Sequence, residues 1–142
     1  MKYFSILILA FLFVSCGGDS DFLTIDEYIT ANNIETEVTA SGLHYILETD
    51  NPNADKPTLS SDITIDYDGY FLDGGTFDSG RDVTFPLSRL ILGWQEGIQL
   101  MGRGDKITLL IPSNLAYGSG GAGSIPGNTD IGFDITLHDF SN

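Results

Sequence analysis

The chain has 142 residues, the length of one domain with a short leader. Twenty acidic residues against six lysines and arginines give a formal net charge of −14, which disfavours binding to nucleic acid and to anionic lipid headgroups. The single cysteine excludes an internal disulfide.

Residues 1–15 resemble a bacterial lipoprotein signal peptide. Lys2 precedes an apolar run that is too short to span a bilayer, and Ser15 leads into Cys16 as in a lipobox. We expect lipidation at Cys16, whose acyl chains would contribute about 0.8 kcal/mol per buried methylene to membrane binding. This anchor alone would hold the protein at the bacterial cell envelope, on the outer membrane, with the domain periplasmic or surface-exposed.

Residues 16–40 are interpreted as a tether followed by a short helix. Small and acidic residues follow Cys16, and Thr24 and Glu27 have the spacing of a capping box. The helix would end near Asn32 or Asn33. Because so short a helix is unstable alone, it must pack on the domain or fray.

The pattern changes to strands from Ser41, and residues 41–142 are predicted to form the folded domain. Alternating or continuous apolar runs indicate strands at residues 43–48, 63–68, 107–111 and 131–138. Asp73, Gly74 and Gly75 indicate a hairpin turn, and residues 118–124 form a glycine-rich connection. We therefore expect an α+β fold, a twisted antiparallel sheet wrapped around one short amphipathic helix, with a short N-terminal helical extension.

The amphipathic helix follows from the spacing of four apolar residues that share one face: Ile91, Trp94, Ile98 and Met101. Gly93 and Gly97 flank the tryptophan, although alanine would favour the helix by roughly 1 kcal/mol at each position, so we expect a sheet to approach closely there. Periodicity alone favours Trp94 as a plain core residue. The aromatic residues upstream of it favour a second interpretation, in which residues 76–101 form the wall and floor of an apolar pocket.

Several kinds of site are disfavoured by the sequence. His44 and His138 alternate with apolar neighbours on strands, which places both on the outer face as solvated side chains. No serine lies in a G-x-S-x-G turn, and the G-x-G-x-x-G string that begins at Gly118 has neither the strand before it nor the helix after it that a dinucleotide site needs. Asp66 and Asp68 lack the next ligand of a calcium loop. We expect no cofactor and no metal.

One reaction suits an aromatic pocket without catalytic acid, base or metal, namely rotation about the X-Pro peptide bond. Its barrier is about 18–20 kcal/mol because resonance gives the C–N bond partial double-bond character. Twisting removes that resonance and much of the amide dipole, so a dry apolar pocket favours the twisted state.

Six blocks of sequence resemble the FKBP-type peptidyl-prolyl cis-trans isomerases, in the order and near the spacing of that family. They are IDYDG at 65–69, TFDS at 76–79, FPL at 85–87, ILGWQEG at 91–97, IPSNLAYG at 111–118, and IP at 125–126 leading to FDI at 133–135. The resemblance covers residues 41–140. The N-terminal part is similar to the lipoprotein members associated with gliding motility in Bacteroidetes.

The resemblance implies a role for each matching position. Trp94 would be the floor under the prolyl ring, and Leu90 and Ile91 would line the helix side, with the Ile91 amide as a donor. Asp78 would accept a hydrogen bond from a neighbouring tyrosine, the Tyr117 hydroxyl would donate to a substrate carbonyl, and Ile125 would close the pocket. The aromatic walls would be Tyr67, Phe77, Phe85 and Phe133.

The partners implied are proline-containing segments of exported proteins and macrolide inhibitors. Gly127 replaces a proline common in the family, which puts peptide preference and macrolide affinity in question. A chaperone or scaffold that binds proline segments with little turnover is the alternative, and a surface adhesin is a third possibility based on the anchor and the acidic tether. Because the residues before Ser41 are too few for the long helical domain of dimeric relatives, we expect a monomer.

Overall fold

The computed structural model describes residues 22–49 and 51–142. The predicted signal peptide, the lipidation site at Cys16 and the start of the tether lie outside these residues. No helix in the described ranges is long and apolar enough to cross a membrane.

Within these described ranges, six strands form one sheet in which every neighbouring pair is antiparallel. The strands are β1 (Glu37–Val38), β2 (His44–Leu47), β3 (Asp62–Phe71), β4 (Thr76–Pro86), β5 (Lys106–Ile111) and β6 (Ile131–Ser141). Their order across the sheet is β1-β2-β5-β6-β3-β4. The hairpin predicted at Asp73 joins β3 to β4, with the Phe71 amide donating to the Gly75 carbonyl at 2.7 Å.

In the part of the chain that the structure describes, two α-helices accompany the sheet, α1 (Ile25–Asn32) and α2 (Leu92–Ile98), and together they confirm the predicted α+β fold. The capping box of α1 is present, since the Thr24 hydroxyl accepts from the Glu27 amide and the Glu27 carboxylate accepts from the Thr24 amide. α1 packs on the domain through Ile25, which is buried with Leu72 and Leu110.

The two glycines of α2 let the helix approach β5 closely. A Cβ added at Gly93 would lie 2.5 Å from Ile111 Cγ2, and one added at Gly97 would lie 2.6 Å from Leu109 Cδ2. Real Cβ atoms essentially never show such contacts, so a larger residue at either position would force the Ile111 or Leu109 side chain, or the helix itself, to shift. The close approach predicted from the sequence is confirmed.

The strand predictions differ from the structure at β3 and β6, which continue beyond their predicted ends, and at β1 and β4, which were not predicted. The second predicted strand stops before Gly69, whereas β3 continues through it to Phe71. Glycine is required inside this strand because an added Cβ would lie 2.6 Å from the Phe133 ring and 2.7 Å from the Phe77 ring. Here glycine marks a close approach and not a strand end.

The edge strand β4 was not predicted at all. The register between β3 and β4 shifts between Ile65 and Tyr67, opposite Gly80, and Asp82 has a positive φ of 52°. These irregularities break the two-residue alternation that identifies a strand in sequence, because one residue on the bulged strand is left without an opposite partner. The strand nevertheless supplies three of the predicted site residues.

Candidate active site

A pocket of about 140 Å³ opens between the sheet and α2. Eight of the ten residues predicted for the site line it: Tyr67, Asp78, Phe85, Leu90, Ile91, Trp94, Tyr117 and Phe133. The volume is below the ~300–1,000 Å³ usual for drug-sized ligands, so the pocket accommodates one small apolar group.

The remaining two predicted residues, Phe77 and Ile125, line an adjoining hollow. Asp78 and Tyr117 belong to both concavities, so the pocket and the hollow meet along these two polar side chains. All ten residues therefore lie in one continuous region of the surface.

Trp94 forms the floor of the pocket and is also a core residue. Its indole meets the Tyr67 ring at 5.1 Å and 74°, and the Phe133 ring at 4.9 Å and 84°, both edge-to-face arrangements that aromatic pairs favour. Only 5% of Trp94 is exposed. The two interpretations of Trp94 are therefore compatible, because one face of the helix serves both the core and the pocket.

The Trp94 indole N–H has an energetic consequence for the site. Among the described residues, Trp94 Nε1 is the one buried side-chain nitrogen or oxygen without a hydrogen-bond partner. Leaving such a donor unpaired costs about 1–3 kcal/mol. The fold tolerates this cost because the ring fills the space between Tyr67 and Phe133.

Asp78 provides the polar edge of the pocket and is held by two donors. The Tyr67 hydroxyl donates to Asp78 Oδ2 at 2.9 Å, and the Ser79 amide donates to Oδ1 at 2.8 Å. Burial, reinforced by this bond to the carboxylate, raises the pKa of Tyr67 to about 12. The predicted bond between Asp78 and a neighbouring tyrosine is present, and it fixes the carboxylate against the wall.

Tyr117 lies on the opposite side of Asp78, in the segment that follows β5. Its hydroxyl forms no hydrogen bond within the described part of the chain. Burial and, secondarily, the charge of Asp78 raise the pKa of Tyr117. The hydroxyl therefore remains a protonated donor at neutral pH and is available to a bound carbonyl.

A second available donor is the Ile91 amide at the start of α2. Ile91 is the N-cap residue with extended backbone, and its amide makes no hydrogen bond in the ranges that the structure describes. The Gln95 side chain holds the preceding turn, since its Nε2 donates to the Leu90 carbonyl at 2.7 Å and to the Ser88 carbonyl at 3.2 Å. Sequence reasoning did not identify this role of Gln95, because the contact depends on how the turn folds back on the helix.

The two histidines lie away from the pocket. His44 Nδ1 is 2.9 Å from the Thr36 hydroxyl, and His138 Nε2 is 2.9 Å from Asp66 Oδ1. Both therefore have side-chain partners, which the prediction of solvated histidines did not include. Residues 22–49 and 51–142 contain no group of three His, Cys, Asp or Glu side chains that could hold a metal ion.

Comparison with known proteins gives the same family for sequence and fold. The family model of the FKBP-type peptidyl-prolyl cis-trans isomerases matches residues 53–138. The chain is similar to the FKBP-type peptidyl-prolyl cis-trans isomerase FkpA of Aeromonas hydrophila, with 44% identity over 118 residues, which are 79% of this chain and 44% of the relative. A probable FkpA of Neisseria meningitidis is 45% identical over 106 residues, 71% of this chain and 39% of the relative. The chain thus spans less than half the length of these curated relatives.

Solved structures resemble the same part of the chain. The crystal structure of FkpA from Escherichia coli superposes with a TM-score of 0.74 and 33% identity, over 82% of this chain and 57% of that one. The crystal structure of a peptidyl-prolyl cis-trans isomerase from Pseudomonas syringae gives a TM-score of 0.73 and 30% identity, over 81% of this chain and 89% of that one.

Proposed function

The chain belongs to the family of FKBP-type peptidyl-prolyl cis-trans isomerases, and on this premise we propose that it catalyses rotation about X-Pro peptide bonds in polypeptide segments. The observation that carries the proposal is the pocket itself, a small aromatic concavity with Trp94 at its floor and one fixed carboxylate at its edge. A prolyl ring is the small apolar group that such a pocket selects in a polypeptide.

The apolar walls supply the catalytic effect. The planar amide has a larger dipole than the twisted one, so transfer from water into the pocket destabilises the planar state more than the transition state. Tyr67, Phe85 and Phe133 exclude water from the ring, and this exclusion needs neither an acid nor a base.

Two donors orient the segment around the ring. The Tyr117 hydroxyl and the Ile91 amide, both without partners in the described residues, donate to carbonyls of the bound chain. Because Asp78 is held by Tyr67, its charge stays at the edge of the pocket and repels carbonyl oxygens from that side. Phe77 and Ile125 then enclose the residue next to proline in the adjoining hollow.

The cellular role that fits this activity is the folding of exported proteins in the bacterial envelope. It is supported by the resemblance of residues 1–15 to a lipoprotein signal peptide, by Cys16 as the lipidated residue and by the resemblance to lipoproteins of gliding Bacteroidetes. We expect the domain to act as a monomer and to bind macrolide inhibitors in the same pocket. Sedimentation and inhibitor titration test these two expectations.

The test of the activity is a proline-isomerisation assay on residues 21–142 with a tetrapeptide that carries an apolar residue before proline. Acceleration that falls in Asp78→Ala and in Tyr117→Phe supports the proposal. A folded domain that binds the peptide without accelerating its relaxation would instead be a chaperone or scaffold for proline-containing segments.

A further inference from the structure

We propose that Asp130 is a positioning residue for Tyr117, and that it makes the N-terminal helix α1 part of the support of the pocket. The inference rests on the proposed isomerase function, since it concerns the donor that orients the substrate. It starts from the Asp130 carboxylate, which accepts hydrogen bonds from two backbone amides and lies outside the ten candidate site residues.

The Asp130 carboxylate joins two parts of the chain that are distant in sequence. Its Oδ1 accepts from the Ser113 amide at 3.0 Å, and its Oδ2 accepts from the Ile25 amide at 3.2 Å. Ser113 begins the short helical turn Ser113–Leu115 that leads to Tyr117, and Ile25 is the first residue of α1.

The segment that carries Tyr117 is held at both ends by the chain around Asp130. Its start is held by the carboxylate, and its end is held by the Asn128 amide, which donates to the Gly118 carbonyl at 2.8 Å. Between these points Leu115 is buried. The position of the Tyr117 hydroxyl in the pocket therefore depends on where residues 128–130 lie.

α1 is in turn fixed to the domain, so it can hold Asp130 in place. Ile25 is buried against Leu72 and Leu110. The Phe22 ring packs on Phe71 at 5.0 Å, and Phe71 packs at 5.1 Å on Phe77, a wall of the adjoining hollow. The N-terminal extension precedes the family match, which begins at residue 53. It contacts the site region in two ways, through the Ile25 hydrogen bond to Asp130 and through the packing of Phe22 on Phe71.

A carboxylate is the side chain that this arrangement needs. It accepts two amide hydrogens with two oxygens, and its charge is favourable beside the first amides of α1. Asparagine has the same shape but one acceptor oxygen, so its NH₂ group would face one of the two amides. Asp130→Asn therefore removes one of the two bonds with little change in volume.

The first test is a double-mutant cycle on kcat/KM, measured on the full chain in mild detergent with an X-Pro tetrapeptide. Asp130→Asn should lower kcat/KM about tenfold in the wild-type background. In a Tyr117→Phe background, where no hydroxyl remains to be positioned, the same substitution should change it by less than about twofold. The control Asp139→Asn alters a β6 carboxylate that also accepts a backbone amide, from Phe140, and should leave kcat/KM unchanged.

The cycle overturns the proposal in two cases. An equal decrease in both backgrounds would mean that Asp130 acts only on the fold, and no decrease in the wild-type background would mean that it does not act on Tyr117.

A second measurement does not depend on activity. Amide hydrogen exchange, followed by NMR on the full chain, should be at least about tenfold faster at Ser113 or Ile25 in Asp130→Asn than in the wild type, with the β3 amides unchanged. If the exchange rates of both amides are unchanged, the two hydrogen bonds to Asp130 do not hold these segments, and the proposal is wrong whatever the activity. If the wild type shows no isomerase activity but amide exchange changes as expected, the proposed function is wrong, while the structural role of the Asp130 hydrogen bonds is supported.

The contribution of α1 is tested by a matched pair at residue 25. Ile25→Ala removes the buried side chain and keeps the amide donor, whereas Ile25→Pro removes both. Proline suits the first position of a helix, and the extended backbone of Thr24 is compatible with a following proline. We expect kcat/KM to be at least about threefold lower in Ile25→Pro than in Ile25→Ala; equal values would overturn the role of α1.

Discussion

At the scale of single residues, the site combines apolar walls with a carboxylate whose position is fixed by a buried phenol. The hydrogen bond from Tyr67 to Asp78 joins β3 to β4 across the edge of the pocket. Asp78 itself is exposed to solvent, so the bond serves to fix the direction of its carboxylate. The pairing also gives the Tyr67 hydroxyl, the one polar atom of that wall residue's side chain, an acceptor.

Asp78→Ala should lower kcat/KM about tenfold, which corresponds to about 1.4 kcal/mol of transition-state stabilisation. The reason is that the Tyr67 hydroxyl, which lines the pocket, loses its acceptor and the polar edge loses its fixed carboxylate. Folding should be nearly intact, since Asp78 lies at the edge of the pocket. The control is Asp62→Ala, at an exposed position of β3 away from the pocket, and equal activity of both variants would contradict the assignment of Asp78.

The stability of the domain should fall at high pH partly because of Tyr67. The folded-state pKa of Tyr67 is raised to about 12, above the ordinary value of about 10, so the contribution is fully present below pH ~10 and is lost as pH rises through ~12. Urea unfolding between pH 8 and 11.5 should show a decline of up to about 1.4 kcal/mol per pH unit from this group.

Tyr67→Phe is the matched variant for this pH dependence, because it removes the titrating hydroxyl and keeps the ring. The free energy of unfolding of this variant should decline less steeply with pH than that of the wild type. It should still decline, since burial also raises the pKa of Tyr70 and of Tyr117. Identical slopes in the variant and the wild type would show that Tyr67 does not titrate as described.

At the scale of elements, the pocket depends on how closely α2 lies on β5. The glycines at 93 and 97 leave space that the side chains of Ile111 and Leu109 fill, and Trp94 lies between these two glycines on the same helix. A helix that moved away from the sheet would carry Trp94 and Ile91 with it.

Gly97→Ala should destabilise the domain by about 1–3 kcal/mol. Alanine favours a helix by about 1 kcal/mol over glycine, but its methyl would lie 2.6 Å from Leu109, and the overlap outweighs the gain. Urea unfolding measures the change. Gly120→Ala is the control, since no atom lies within 4 Å of the added Cβ, and an equal loss in both variants would contradict the packing argument.

At the scale of the whole molecule, the net charge of −14 acts against compactness. Acidic side chains outnumber basic ones by more than three to one, and their mutual repulsion is relieved when the chain unfolds. Part of this repulsion is offset by two local ion pairs, Arg81 with Asp68 and Arg103 with Asp139.

Raising sodium chloride from about 10 mM to about 500 mM should therefore raise the midpoint of thermal unfolding, because the screening length falls from about 30 Å to a few ångströms. The rise should shrink at pH ~4, where many carboxylates are protonated. A midpoint that falls with salt would mean that attractive pairs dominate over the net repulsion.

Local periodicity and residue type were enough to predict several elements of the fold. The apolar spacing around Trp94 predicts α2, the capping box predicts the start of α1, and the two glycines of α2 predict the close contact with the sheet. The α+β fold followed from these patterns, whereas the ten candidate site residues were implied by the family resemblance. The predicted elements are set by short-range geometry, in which the period of the chain fixes which side chains share a face.

Features that depend on contacts between distant segments could be seen only in the folded chain. β4 is a strand because β3 pairs with it despite the bulges, and Gly69 lies inside β3 because two rings occupy the space of a Cβ. Three further features are set in the same way. They are the division of the ten residues between the pocket and the hollow, the hydrogen bond from the Gln95 side chain to the turn, and the hydrogen bond from α1 to Asp130. The physical reason is that each contact joins groups brought together by the packing of the core, and no spacing along the chain encodes their distance.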